Sequence, residues 1–187
     1  MLLRLAFVPP DSAIEGLRAL GSRLAAERPG VHPVPPGLID VPIAALGNVM
    51  DRDAKRLEDA MEEHLRLPGA LHVEDAGCEQ RDNGDIVLRL GGDVAGLAEA
   101  ARRIGKAAER VHLYIDRRNF QPGVLTATTD EKRACSPLDR VLADIAAEAG
   151  AWTGLRWAVD DVALIRTRWV AGSPQSEIVG WVPLVAG

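Results

Sequence analysis

Two stretches of this chain repeat one pattern, and that repetition constrains the fold more than any other feature. Residues 35–66 and 120–149 each run from a proline-containing approach through a short strand and a polar loop into an amphipathic helix. Two copies of one unit predict two lobes related by a pseudo-twofold axis. The matched strands, at 39–46 and 123–128, are then expected to face each other across a cleft. Such a cleft is the default place for a site.

The rest of the chain fits this scheme. Residues 2–8 read as a strand ended by Pro9-Pro10. Ser12 and Glu15 form a capping-box signal, and Ile14, Leu17, Leu20 and Leu24 recur at helical spacing. Residues 29–37 hold four prolines and two glycines and read as a loop. Asp51 is expected to cap a second helix with the stripe Ala54, Leu57, Met61 and Leu65. Strands at 70–78 and 85–91 flank Asn83-Gly84, a hairpin signal. Asp93 is expected to open a third helix carrying Val94, Leu97, Ala101, Ile104 and Ala108. Ser136-Pro137-Leu138-Asp139 marks a fourth. Residues 155–170 read as one strand or a bent pair. Gly172-Ser173-Pro174 reads as a turn, and 178–184 as a last strand that Pro183 places at an edge. The expected class is α+β: antiparallel sheets around a central cleft with helices outside, in one bilobal unit spanning 1–187.

Composition narrows the function. The net charge of −5 does not favour a polyanion. Between Glu99 and Arg118 six basic residues stand against three acidic ones, which reads as a solvated helix face rather than a nucleic-acid footprint. Two cysteines, Cys78 and Cys135, are too few for a disulfide framework and match no metal spacing, so both read as free thiols in a reducing compartment. The apolar start is too short to span a bilayer and lacks the order of a signal peptide. A cytoplasmic location away from the membrane is the expectation.

The two repeated segments also carry a resemblance. Pro36-Gly37-Leu38-Ile39-Asp40-Val41-Pro42 through Leu46-Gly47 resembles the first signature of the 2'-5' RNA ligase family of 2H phosphoesterases, a proline-rich lead followed by His-x-Thr and a strand ending in Leu-Gly. Asp40 falls at the histidine and Pro42 at the threonine. Phe120-Gln121-Pro122-Gly123-Val124-Leu125 resembles the second signature through its Phe-x-Pro. Gly123 then takes the histidine position and Leu125 the threonine. A shift by one residue restores Thr126 as the threonine but places Val124 at the histidine. The closing hairpin, Asp161 to Trp169 and Gly180 to Leu184, adds to the likeness.

The resemblance implies a cleft in which two histidines act as general base and general acid on a 2',3'-cyclic phosphate or a 2'-5' linkage, with the threonines binding the phosphate and no metal or cofactor required. Histidine suits both roles because it titrates near neutrality. Neither register supplies one here. Each missing acid or base costs about 10²–10⁴ in rate, so no catalytic residue is assigned. An ionised Asp40 would also repel a phosphate by roughly 1 kcal/mol at 4 Å in water. The cleft is therefore expected not to prefer an anionic phosphodiester, and to take a neutral or cationic ligand or none.

Other features read as structural. His32, His64, His72 and His112 occupy no matched positions in the two copies. Gly91-Gly92-Asp93 reads as a capped turn rather than an anion site. Thr126, Thr128, Thr129 and Asp130 either line the cleft or form a turn. Trp152, Trp157, Trp169 and Trp181 read as core or a partner surface. The leading reading is a pseudoenzyme that serves as a ligand-binding or interaction module for a small ligand or a protein partner. Kept beside it are an RNA or nucleotide 2',3'-cyclic phosphodiesterase using other residues, which charge does not favour, and a structural protein with a filled cleft.

Overall fold

The computed structural model describes residues 2–115, 120–129 and 155–184. The expected fourth helix lies outside them, as do Arg117, Arg118, Asp130, Cys135 and Trp152. In chain order the elements are β1 (Leu2–Phe7), α1 (Asp11–Glu27), β2 (Val31–Pro33), a 3₁₀ turn (Pro36–Leu38), β3 (Val41–Asn48) and α2 (Asp51–His64). Then come β4 (Leu71–Gln80), β5 (Asp85–Gly92), α3 (Val94–Arg110), β6 (Gly123–Thr129), β7 (Arg156–Val159), β8 (Asp161–Val170) and β9 (Ser173–Pro183).

The strands form two antiparallel sheets, ordered β3-β1-β8-β9 and β2-β6-β5-β4-β7. Without β2, the second order matches the first, with β6, β5, β4 and β7 standing for β3, β1, β8 and β9. One connection matches as well. β1 passes through α1 to its antiparallel neighbour β3, and β5 passes through α3 to its antiparallel neighbour β6. The duplication read from the sequence is thus present in the strand order.

Alternation divides each sheet into two faces. On the first, Leu3, Leu5, Phe7, Val162, Leu164 and Val182 belong to the main core. Ala6, Ala163 and Ile165 form a small separate cluster with Val8 on the other side. On the second, Ile86, Leu88, Val124 and Ala127 enter the main core. Their alternates Val87 and Arg89 pair with Leu125 and Gly123. The helices tie the sheets together. α1 leaves β1 of the first sheet but packs on β2 and β6 of the second. α2 packs on α3 and on β9. Phe7 of β1 also meets Phe120, on the approach to β6, edge to face at 6.3 Å.

Several expectations need correction. The 29–37 stretch contains β2, paired with β6 through Val31↔Thr129 to Pro33↔Ala127. Pro33 lacks an N–H to give, and the strand sits at the sheet edge where none is needed. Ser12 does not cap α1. Pro10, at φ −65°, takes that position, Asp11 supplies the acid in the first turn, and no side chain caps the end. Asp51 is likewise inside α2, with Met50 before it. Asp93 does open α3, at the N-cap position, but its side chain makes no capping hydrogen bond. Its Oδ2 accepts from the His72 N–H at 2.9 Å, and its own N–H donates to the His72 carbonyl at 2.8 Å. These bonds pin the helix start to β4. Residues 155–170 are a bent pair whose halves belong to different sheets, β7 to the second and β8 to the first. The last turn sits at Ala171 and Gly172, both with positive φ, so Ser173 and Pro174 already lie in β9.

The crossing of α1 demands close approach at Gly21. A Cβ there would lie 2.6 Å from the Thr126 carbonyl oxygen. Alanine ordinarily favours a helix interior over glycine by about 1 kcal/mol. Here overpacking against backbone reverses the sign. Gly21→Ala is expected to lower the unfolding free energy by about 1 kcal/mol or more, while the exposed Ser22→Ala leaves it near wild type. Denaturant titration of both variants checks this, and a stabilised Gly21→Ala would contradict the contact.

Candidate functional site

Asp40 lies in a bend just before β3. Its neighbour is Arg4, the lone charged residue in the apolar strand β1. Arg4 Nη1 donates to Asp40 Oδ2 and forms an ion pair with it. Arg4 Nη2 also donates to the Gly37 carbonyl at 3.3 Å, holding the loop that leads into β3. Asp40 is only 4% exposed. Burial raises its carboxyl above the ordinary carboxylate range, although Arg4 pulls the other way. The reason is asymmetric hydration: the Arg4 side chain keeps about a fifth of its surface in water, while that of Asp40 keeps almost none. Asp40 Oδ1 has no hydrogen-bond partner among the described residues.

Asp40 lines a pocket of about 750 Å³. The pocket lies on the face of the first sheet that carries Ile165, Ile178 and Trp181, and reaches Ala158 of the second. Its floor and wall come from Val8, Ile165, Ile178 and Trp181. Ile14 of α1 closes one side and the Pro36-Gly37 turn another. Asp160, between β7 and β8, and Asp161, which begins β8, stand at the junction of the sheets, and Asp11 opens α1 beside them. No lysine, arginine or histidine lines it among the described residues.

The other predicted positions are elsewhere. Pro42 is exposed on β3, opposite Ala6 of β1. Gly123 is buried in β6, with no room beside it: a Cβ would lie 2.7 Å from Val87 Cγ1 and 3.2 Å from the Leu88 carbonyl oxygen. Arg81 Nη2 would be 3.8 Å from that same Cβ. Arg81 and Arg89 flank Glu79 at 3.6 and 3.7 Å. Leu125, half-buried, packs against the core. Thr126 is 1% exposed and donates its hydroxyl to the Ile86 carbonyl at 2.9 Å. It belongs to the sheet interior rather than to a cleft wall. Thr128 is half-buried and pairs with His32 and Asp85. β3 and β6 do approach each other, but of the six predicted positions only Asp40 lines the described pocket.

The remaining candidates are structural. His32 and His72 are exposed on β2 and β4, and His112 follows α3 with φ 63°. His64, at the end of α2, meets Arg110 of α3. The basic run on α3 is bound up locally: Arg102 and Arg103 reach Glu99 at 2.7 and 2.9 Å, and Arg103 donates to the Arg66 carbonyl. Burial, with Asp75 beside it, pushes the Cys78 thiol up to about 12, so it stays protonated and unreactive. Sequence reasoning missed Arg4, Asp11, Asp160, Asp161, Ile178 and Trp181. Of these only Arg4 carried a signal, as a lone cation in an apolar strand.

Two outcomes follow from this geometry. Gly123→Ala is expected to cost about 1–3 kcal/mol of stability, because Val87 is β-branched and cannot easily turn aside. Thermal and denaturant unfolding read this directly. Asp40 has a raised folded-state pKa, so its contribution is complete below the ordinary value of 3.8 and is lost as pH rises through the folded value. Wild type is therefore expected to lose stability relative to Asp40→Asn as pH rises from about 3.5 to 7. A difference that grows instead would mean that the attraction of Arg4 outweighs desolvation.

No protein-family model and no curated protein matches the chain. Solved structures do match it. TT0787 of Thermus thermophilus superposes with a TM-score of 0.75 at 17% identity, over 98% of both chains. Apo LigT of Escherichia coli gives 0.73 at 18%, over 99% of this chain and 98% of that one. LigT is also known in complexes with ATP, 3'-AMP, NADP+ and phosphate. A structure described as a phosphoesterase gives 0.71 at 19%, over 99% of each. In its described residues, then, this chain has the two-lobed α+β fold of LigT.

Proposed function

We propose that this chain is a ligand-binding module on a LigT-like fold that does not hydrolyse phosphodiesters. One observation carries the reading: neither position where the resemblance puts a histidine offers a group that can pass a proton to a substrate. Asp40 is enclosed and held by Arg4. Gly123 has no side chain and no space for one. General acid–base catalysis needs both groups within hydrogen-bond reach of the reacting atoms. The pocket beside Asp40 is open, and its volume is within the range of small-molecule sites, about 300–1,000 Å³. LigT, on the same fold, binds small molecules, which supports a small ligand over a purely structural role. No described helix is long and apolar enough to cross a membrane.

The test is incubation of the purified protein with 2',3'-cyclic nucleotides and 2'-5'-linked oligonucleotides. No product above the buffer control is expected. Nor is activity expected from the Asp40→His/Gly123→His double variant, because the second imidazole has no place to stand. Turnover by the wild type, abolished on replacing His32 or His112, would replace this reading with that of a phosphodiesterase built from other residues.

A further inference from the structure

β9 is an outer strand of the first sheet, and no described strand pairs with it on its far side. We infer that a second copy of this chain does so, antiparallel and about a two-fold axis. Two four-stranded sheets then join edge to edge through β9. The inference stands apart from the ligand-binding reading above.

The first observation is which backbone groups this edge offers. In an antiparallel pair, alternate residues turn their N–H and C=O away from the neighbouring strand. The two-residue turn at Ala171-Gly172 closes on Val170↔Ser173, and at the other end the Leu184 N–H donates to the Asp160 carbonyl. These two points fix the alternation. Pro174, Ser176, Ile178, Trp181 and Pro183 are the outward residues, with the register shift between Leu164 and Ile165 absorbed between 178 and 181. Proline has no N–H, so the edge is blunted at both ends. Three outward N–H groups remain, at Ser176, Ile178 and Trp181.

A second observation is that this short edge complements itself. With Ile178 opposite Trp181 of the second copy, Trp181 meets Ile178 of that copy. Ser176 then faces Pro183 of the second copy, whose carbonyl accepts its N–H. All three outward N–H groups are used, and the pairing is reciprocal, as a two-fold requires. Ile178 and Trp181 are 42% and 46% exposed. Across strands they make a pair of β-branched and aromatic side chains, which stabilises sheets. A strand from an unrelated protein has to bring such a match, whereas the second copy carries it. Charge does not oppose the contact. The groove between α2 and β9 is lined by Asp51 and Glu58 against Lys55 and Arg166, so the copies do not meet as like charges.

The third observation is size. Ile178, Val179 and Trp181 are the exposed apolar residues of β9, and together they present roughly 250 Å² of surface. The paired run, 176–183, is shorter than the roughly 20–30 residues a side of a stable interface. The dimer is therefore weak and concentration-dependent, with a Kd of about 10–100 µM. Ile178 and Trp181 also line the pocket beside Asp40, so the second copy stands at its outer wall.

The test is sedimentation velocity on the full chain from about 1 to 300 µM. Monomer is expected at the lowest concentration and dimer at the highest. Ile178→Pro removes one outward N–H while keeping the pairing with β8, as Pro174 and Pro183 do, and is expected to weaken association about tenfold or more. Trp181→Lys, which sets a charge on the edge, is expected to do the same and serves if the proline variant does not fold. Trp169→Ala, at the exposed hairpin tip outside the paired run, is expected to leave association unchanged. Circular dichroism checks the fold of each variant. A chain that stays monomeric throughout overturns the inference and leaves the edge to a strand of another protein or to none. A dimer that survives Trp181→Lys, or that is lost in Trp169→Ala, overturns it too, as does growth beyond a dimer. None of these outcomes depends on the hydrolysis assay.

Discussion

α1 begins at the end of a strand in one sheet and buries its apolar stripe on the other. Leu17, Leu20 and Leu24 enter the common core while Gly21 lets the helix close onto the Thr126 carbonyl. The step from β7 to β8 crosses between the sheets a second time, at Asp160. The second sheet thus buries part of its apolar face under a helix that leaves the first. On the first sheet the second face carries Ala6, Ala163 and Ile165, a small cluster that is itself buried, and the pocket opens beside it at Val8, Ile165, Ile178 and Trp181. The pocket is thus a by-product of how the lobes interlock, and its walls are fixed by elements far apart in sequence.

That origin explains why Asp40 sits where it does. The turn at Pro36–Leu38 and the start of β3 put residue 40 on the wall of that pocket. A carboxyl there loses hydration on one side and gains Arg4 on the other. Isolated burial of a carboxylate costs several kcal/mol. Arg4 offsets part of that, and since Arg4 itself keeps water around its guanidinium, the offset is incomplete. Residue 40 is consequently committed to holding its own loop, through Arg4 to Gly37 as well. A group in that position is a poor base for a substrate, because Arg4 already occupies its Oδ2 and little of the side chain is open to a reacting atom.

The architecture is legible in the sequence because it rests on periodicity. Alternation along 2–8 and 85–91, the Asn83-Gly84 turn and the stripes of α1, α2 and α3 are local signals, and the structure places them within a few residues. Leu46-Gly47 and Phe120-x-Pro122 mark the two copies through residues that shape strands rather than catalyse. What cannot be read is set by partners distant in the chain. Pro33 pairs in β2 only because Ala127 lies opposite. Asp93 has the residue type of a cap but is claimed by His72. Thr126 has the polarity of a cleft residue, and it is buried because the Ile86 carbonyl accepts its hydroxyl. The pocket gathers residues from position 8 to position 181, and no sequence window contains that.

The fold and the chemistry of its cleft therefore separate cleanly. Likeness to the fold of LigT at 18% identity follows from burial patterns that many sequences satisfy. Phosphate handling asks for more: donors, cations and proton carriers at defined points. Here the described basic side chains nearest the second motif, Arg81 and Arg89, are engaged with Glu79, and those on α3 are engaged with Glu99 and α2. The carboxylates of Asp11, Asp160 and Asp161 are left facing the open volume. Among the described residues the pocket beside Asp40 is thus lined by carboxylates and by no cation, and fold-level likeness alone gives no warrant for carrying the phosphoesterase activity across.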